Sequence, residues 1–361
     1  MPARKNAPPK LDLSQMAHWG RNTIKWGIIL TIVFIVGRFT LTTAVQIYKA
    51  MNPPPPTPPT MGFGMIPSPA FPAQLPGDRP DEIRLETVGQ RLPEYGIKAE
   101  VYFMPSAQPN LLALDRAKER AASLGFVFEP EKVSATNYRW RRTQPLPANL
   151  EIDTVYNLFD MKADWASSVT LLENKIIPDQ RQASSEMRTL LRSLDLVYSD
   201  IATAEPELTY LKALAGETRP ANSLSEADFT LLNLYRNTPK GVPTVTSVAD
   251  QGVIQLLLSG SREQGERILE LHSDYIPVSW TDVETYPVLT GQEAWQLLQA
   301  GQGYITSRGS GDAAVVRNVY LAYYEPPRPQ NYYQPVYVFE GDGGFQAIVP
   351  ALNPQVYAIE E

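Results

Sequence analysis

Apolar residues run from Trp26 to Gly37 with only Thr31 between them, and after Arg38 the run resumes as FTLTTAVQIY and stops at Lys49. The 23 residues between Lys25 and Lys49 would span roughly 34 Å as a helix, enough for the core of a bilayer. Residues 24–48 are therefore expected to form a transmembrane helix. Arg4, Lys5, Lys10, Arg21 and Lys25 precede it against one acid, Asp12. That bias predicts a cytoplasmic tail over 1–23 and an extracytoplasmic location for everything after about residue 49. Arg38 breaks the pattern. It is expected either to pair with an acid of another membrane protein or to snorkel toward the Lys49 end, about 15 Å away by helical rise. A cleavable signal peptide is the alternative, with Thr42-Thr43-Ala44 as a poor small-residue cleavage site.

Residues 49–77 read as a proline-rich linker. Pro53–Pro56 and Pro58–Pro59 favour polyproline II, a stiff spacer of about 3.1 Å per residue. From 61 to 77 the segment is also apolar. Phe63, Met65, Ile66, Phe71 and Leu75 predict a stretch that lies extended against a folded body.

Beyond residue 77, helical and strand periods alternate. Leu111, Leu114, Ala117, Ala121 and Leu124 predict a helix over about 109–124, stopped by Gly125. Met187, Leu190, Leu191 and Leu194 predict another over about 179–194, opened by a box-like Asp179 and Gln182. A third, over 291–300, follows the capping pair Thr290 and Glu293 and ends at Gly301 and Gly303. Extended segments are expected at 138–142, 150–159, 208–214, 229–235, 315–324, 333–339 and 345–349, the last two joined by a turn at Gly341–Gly344. GVIQLLLSG suggests a buried strand, REQGERILEL looks helical, and 160–177 with most of 240–287 carry no clear period. The order predicts an α+β fold in which antiparallel sheets carry helices on one face, built from a helix–strand–strand unit used about three times. Two lobes are expected, 78–204 and 205–361.

Composition narrows the function. The chain has 361 residues, 20% of them charged, a net charge of −7 and no cysteine. Disulfides and thiolate metal sites are excluded, and an exported protein without cysteine fits a bacterial envelope. No dense basic patch exists beyond the tail, so nucleic acid is not an expected partner. The two histidines, His18 and His272, are far apart. A general base needs an oriented partner, and His272 reads as an ordinary structural residue.

Other chemistry is thin. The strings GQG, GSG and GDG at 301–303, 309–311 and 341–343 lack dinucleotide spacing and read as turns. Ser310 has no histidine near it in sequence, which argues against a serine hydrolase. Asp282 with Glu284, or Asp312 with Glu340, would be the carboxylate pairs of a glycosidase. The densest local signal is aromatic: Tyr320, Tyr323, Tyr324, Tyr332, Tyr333, Tyr337 and Phe339 crowd two strands. They form either cross-strand core pairs or a groove for peptide or glycan.

ETYPVLTGQEAWQLLQAGQGYI at 284–305, VYLAYYEP at 319–326 and QPVYVFEGDGGFQAIVPA at 334–351 resemble, in order and spacing, the C-terminal part of YycH/YycI-like proteins. The helix–strand–strand pattern also resembles PepSY-type modules. The first resemblance implies a single-pass regulator that touches a sensor kinase, with no catalytic residues and no cofactor. The polyproline spacer and Arg38 depart from that family. The expectation is a non-enzymatic envelope protein that binds a protein partner, with Arg38 as the membrane pairing residue and Tyr323, Tyr324 and Tyr332 as the contact surface. The alternative is a module that recognises cell-wall glycan or peptide.

Overall fold

The computed structural model describes residues 13–51, 57–75, 77–87, 89, 92–168, 170–173, 175–263 and 265–358. Most of the predicted tail and Pro53–Pro56 of the spacer lie outside the described residues. The chain divides between Thr57 and Pro58 into two units.

The first unit is one helix, α1 (Leu13–Met51). Its 32-residue stretch His18–Lys49, which holds an 18-residue window of mean hydropathy 2.1 with no buried part, is long and apolar enough to cross a membrane. A signal segment shares that length and composition. The threonines that interrupt the apolar run satisfy themselves. Thr31 Oγ1 donates to Gly27 O at 2.8 Å and Thr43 Oγ1 to Phe39 O at 2.8 Å, so their hydroxyls need no water. Arg38 is exposed on this helix.

The second unit has two groups of cores. Residues 58–75 form a strap, as expected from the apolar side chains of the stretch from 61 onward. Ile66 is buried and bridges to Tyr357, its N–H donating to Val356 O at 3.1 Å. Strands β1 (Glu82–Leu85) and β2 (Lys98–Phe103) follow.

The next stretch builds the larger layer. It contains α2 (Ala113–Ser123), β3 (Glu131–Lys132), β4 (Asn137–Arg142), β5 (Ala148–Asp153), β6 (Leu158–Ala163), α3 (Gln180–Ser193), β7 (Glu207–Leu214), β8 (Glu217–Pro220) and β9 (Phe229–Leu234). After a detour through β10 (Thr244–Val245), β11 (Ile254–Ser259) and β12 (Ile268–Ser273) complete it. The sheet order is β3-β4-β5-β6-β12-β11-β9-β7-β8, antiparallel throughout. Ala117, Ala121, Ala183, Met187 and Leu191 of α2 and α3 share one core with Trp140, Leu150, Met161, Leu232, Leu256 and Leu271 of the strands.

The chain then returns. β13 (Ser279–Pro287) pairs antiparallel with β2, so the two ends of the inserted layer lie side by side. After α4 (Gly291–Gln299) come β14 (Tyr304–Ser307), β15 (Ala313–Tyr324), β16 (Tyr332–Tyr333), β17 (Pro335–Gly341) and β18 (Gln346–Pro350). One sheet runs β1-β15-β17-β18-β14, another β13-β2-β16. One edge of the 12-residue β15 is shared by two short parallel neighbours, β1 at its start and β10 at its end.

The mixed α+β class is as expected, and both capping boxes form, at Asp179/Gln182 and Thr290/Glu293. Other expectations differ. β1 and β10 make parallel pairs. Four strands follow α2 and seven follow α3, and β14 pairs with β18 at the far edge rather than with β15. The helix–strand–strand rhythm therefore does not describe the pairing. The nine-stranded sheet takes strands from both sides of the expected 204/205 boundary, because β6 pairs with β12. The segment 150–159 is two strands. Asp153 Oδ1 accepts from Val155 N and Tyr156 N at 2.8 Å each, and Asn157 takes φ 59°, which turns the chain. RILEL, helical by pattern, lies mainly in β12.

Candidate functional site at the junction of the two cores

Leu234 ends β9 inside the core, and two residues later the chain places Arg236 between the inserted layer and the outer sheets. Its side chain is fully buried. Nη1 donates to Asp200 Oδ2 at 2.5 Å, Nε and Nη2 donate to Glu325 at 2.8 and 3.1 Å, and Nη2 also reaches Ile276 O at 2.8 Å. Tyr275 OH donates to the other oxygen of Asp200 at 2.8 Å, and Tyr333 OH to Glu325 at 2.7 Å. The guanidinium lies 4.3 Å over the Tyr275 ring and 5.5 Å from the Tyr333 ring. Burial opposes the charge on Arg236. Glu325 and Asp200 outweigh it and raise its pKa, so the cation persists. Such a network fixes one arrangement of the two cores and presents no reactive atom to solvent.

The tyrosine residues expected at a contact surface lie largely in this interior, which corrects that expectation. Tyr323 is 4% and Tyr324 2% exposed. Tyr323 stacks on Tyr333 at 5.0 Å and 9°, and its hydroxyl donates to Glu100 O at 3.1 Å. Tyr324 meets the strap residue Phe71 edge-on at 4.9 Å. Both belong to the last turn of a strand covered on each face, so no partner reaches them. Tyr332 is half-buried against Phe63 at 5.3 Å. Arg38 belongs to the separate helical unit.

Sequence reading missed Arg236. The only signal was a charge set directly after the buried run TLLNLY, and nothing local names its partners 36 and 89 positions away. His272 was underestimated too. Its Nε2 lies 2.8 Å from Asp274 Oδ2 and its Nδ1 3.7 Å from Asp160 Oδ1. The expected carboxylate pairs are otherwise engaged: Asp312 with Arg308, Glu340 with the Tyr320 hydroxyl at 2.6 Å, and Asp282 with the Ser279 hydroxyl at 2.8 Å. Ser310 sits in a turn, its N–H donating to Gly343 O at 3.0 Å, and Gly309 and Gly343 both take positive φ.

Two of the open concave surfaces among the described residues bear on function. The larger, about 1030 Å3, lies on the nine-stranded sheet and is bordered by Trp165, Leu231 and Leu257 with Asn149, Lys162 and Gln255. The smaller, about 430 Å3, lies between the loop after β9 and strands β15 and β17.

No family model and no curated protein matches the chain. Among solved structures it is similar to an uncharacterized protein from Eubacterium rectale ATCC 33656, with 11% identity, 78% of this chain and 92% of that chain covered, and a TM-score of 0.32. At that score the likeness carries no argument about fold or function.

Proposed function

We propose that this chain is a non-enzymatic, single-pass membrane protein whose body binds a protein partner on the outer side of the membrane. The observation that carries the reading is α1, whose 32-residue apolar stretch holds an 18-residue window of mean hydropathy 2.1 with no buried part and precedes a folded body. An apolar helix with no protein cover is satisfied by lipid. The basic tail before it favours an inward N-terminus. The buried charge network supports a rigid body that presents fixed surfaces, as recognition requires. Regulation of a membrane sensor, which the YycH/YycI-like resemblance implies, is the role we assign to that binding.

The absence of cysteine makes the test clean. Ala3→Cys and Glu217→Cys variants are each treated with a membrane-impermeant maleimide in intact cells. Labelling of position 217 without lysis, and of position 3 only after lysis, is expected. Release of the protein by alkaline carbonate, or labelling of position 3 alone, sinks the anchored reading.

A second reading rests on the open face of the nine-stranded sheet. Trp165 beside Asn149, Lys162 and Gln255 is a stacking ring among hydrogen-bonding groups, the chemistry of a wall glycan or peptide site. Pull-down of the full-length protein on purified wall material, lost in Trp165→Ala, would favour it.

A further inference from the structure

The smaller groove has a charge that its surroundings do not balance. Glu207, Asp250 and Glu340 border it. Glu207 and Asp250 are exposed and have no ion pair or side-chain hydrogen bond among the described residues. Glu340 accepts from Tyr320 OH at 2.6 Å and from Asn318 Nδ2 at 3.3 Å, both neutral donors. Arg236 is the one cationic residue among the described residues along the border, and its fully buried side chain is already neutralised by Asp200 and Glu325.

Two features mark the groove as more than an acidic patch. Thr244 lines it, is 6% exposed, and its Oγ1 has no hydrogen-bond partner among the described residues. A buried hydroxyl left unpaired is uncommon and costs stability. Thr244 also belongs to β10, which among the described residues pairs only with β15. Tyr323 N donates to Pro243 O and Glu325 N to Val245 O, so by the alternation of a parallel ladder the Thr244 backbone turns to the free edge. Tyr235 and Tyr320 line it beside the acids. Burial first, then Glu207 and Asp250, push the Tyr235 hydroxyl up to about 12, as a site of negative potential would.

We propose that this groove receives the ammonium or guanidinium end of a lysine or arginine side chain of a partner protein. The proposal rests on the protein-binding reading and names the chemistry of that partner. Two unpaired carboxylates favour a cation, tyrosine rings add cation–π attraction, and the free edge of β10 accepts the flanking backbone. A bare metal ion fits poorly, because no group of three or more metal-ligating side chains is assembled among the described residues. The volume, about 430 Å3, suits a side chain with adjoining peptide.

The test uses the full-length protein in detergent and end-blocked Gly-Gly-Lys-Gly-Gly, followed by isothermal titration. The same peptide with acetylated lysine and free cadaverine are the comparison ligands. Binding of the lysine peptide should fall about tenfold in the Glu207→Gln/Asp250→Asn variant, and severalfold in Thr244→Val, with melting temperatures that do not fall. Acetylation should remove it. Equal binding of the acetylated peptide, indifference to both variants, or no binding up to roughly 5 mM (where affinity falls below about 3 kcal/mol) would overturn the proposal. Cadaverine binding as tightly as the peptide would also overturn it, by assigning the groove to a free diamine. Anchoring is read separately, from the maleimide labelling pattern, so either reading can fail without the other.

Discussion

Arg236 and Glu325 stand 89 positions apart in the chain, yet they share two hydrogen bonds, of 2.8 and 3.1 Å, in an interior closed to solvent. Arg236 leaves the inserted layer at the end of β9, and Glu325 follows β15 of the outer sheet. Asp200, after α3, completes the clamp. The pair therefore joins two cores, with Tyr275, Tyr333 and Trp280 packed around the guanidinium.

Arg236→Met should destabilise the body by about 3–5 kcal/mol, because it leaves Asp200 and Glu325 buried without a counterion. Denaturant unfolding of the full-length protein in detergent, followed by tryptophan fluorescence, measures it. Arg317→Met is the control. Arg317 also bonds two acids, Glu86 and Asp342, but on the surface, and its loss should leave the curve unmoved. Equal effects of the two substitutions would show that burial is not what gives Arg236 its weight.

His272 makes stability depend on pH. Burial on its own would lower its pKa, but hydrogen bonds and charge from Asp160 and Asp274 raise it from 6.5 to about 9. Asp160 is lowered in turn, first by its bond to His272. Gln255, opposite on β11, is neutral. With a folded pKa above the unfolded one, the contribution is full below about pH 6.5 and is lost as pH rises through about 9. It should amount to roughly 1–2 kcal/mol for this partly exposed group. Melting temperatures at pH 6 and pH 9.5 should therefore differ more in the native protein than in His272→Gln. The same pH difference in both would remove His272 as its source.

Each capping box holds the start of a helix that closes a core. Asp179 Oδ1 accepts from Gln182 N at 2.8 Å, and Thr290 Oγ1 accepts from Glu293 N at 3.2 Å. Asp179→Ala and Thr290→Ala should each cost about 1 kcal/mol. The side chains meet no common partner, so the double substitution should cost the sum. A clear departure from additivity in denaturant unfolding would mean that α3 and α4 are coupled through the body.

Local signals were legible in the sequence because their cause is local. Asp179 with Gln182 and Thr290 with Glu293 are three residues apart, and each forms its box. Alternation placed β4, β7, β9, β15 and β18 within a few residues. What failed depends on partners distant in the chain. The same LNLY pattern suits a strand in either sheet, so β9 next to β11 and β7, with β12 against β6, could not be read. The turn at Asn157 hid because no glycine marks it. The tyrosines were read as a choice between core and groove, and burial of Tyr323 and Tyr324 follows from covers, Phe71 and Tyr102, that lie more than 200 residues earlier. Arg236 gave a charge after an apolar run and nothing more.

Arg38 tests the membrane side of the proposal. It is exposed on α1, and no ion pair holds it among the described residues. An unpaired arginine near the centre of a span costs about 2.5–3.5 kcal/mol on insertion scales, and snorkelling relieves only part of that. An acid on a neighbouring membrane helix would offset the cost and fix the pairing register. Arg38→Leu should therefore insert at least as well as the native helix yet lose its partner. Photo-crosslinking in native membranes should show capture reduced by about tenfold, equivalent to roughly 1.4 kcal/mol. Undiminished capture would assign Arg38 to snorkelling and leave partner choice to the body. A loss of insertion would contradict the cost on which the pairing argument stands.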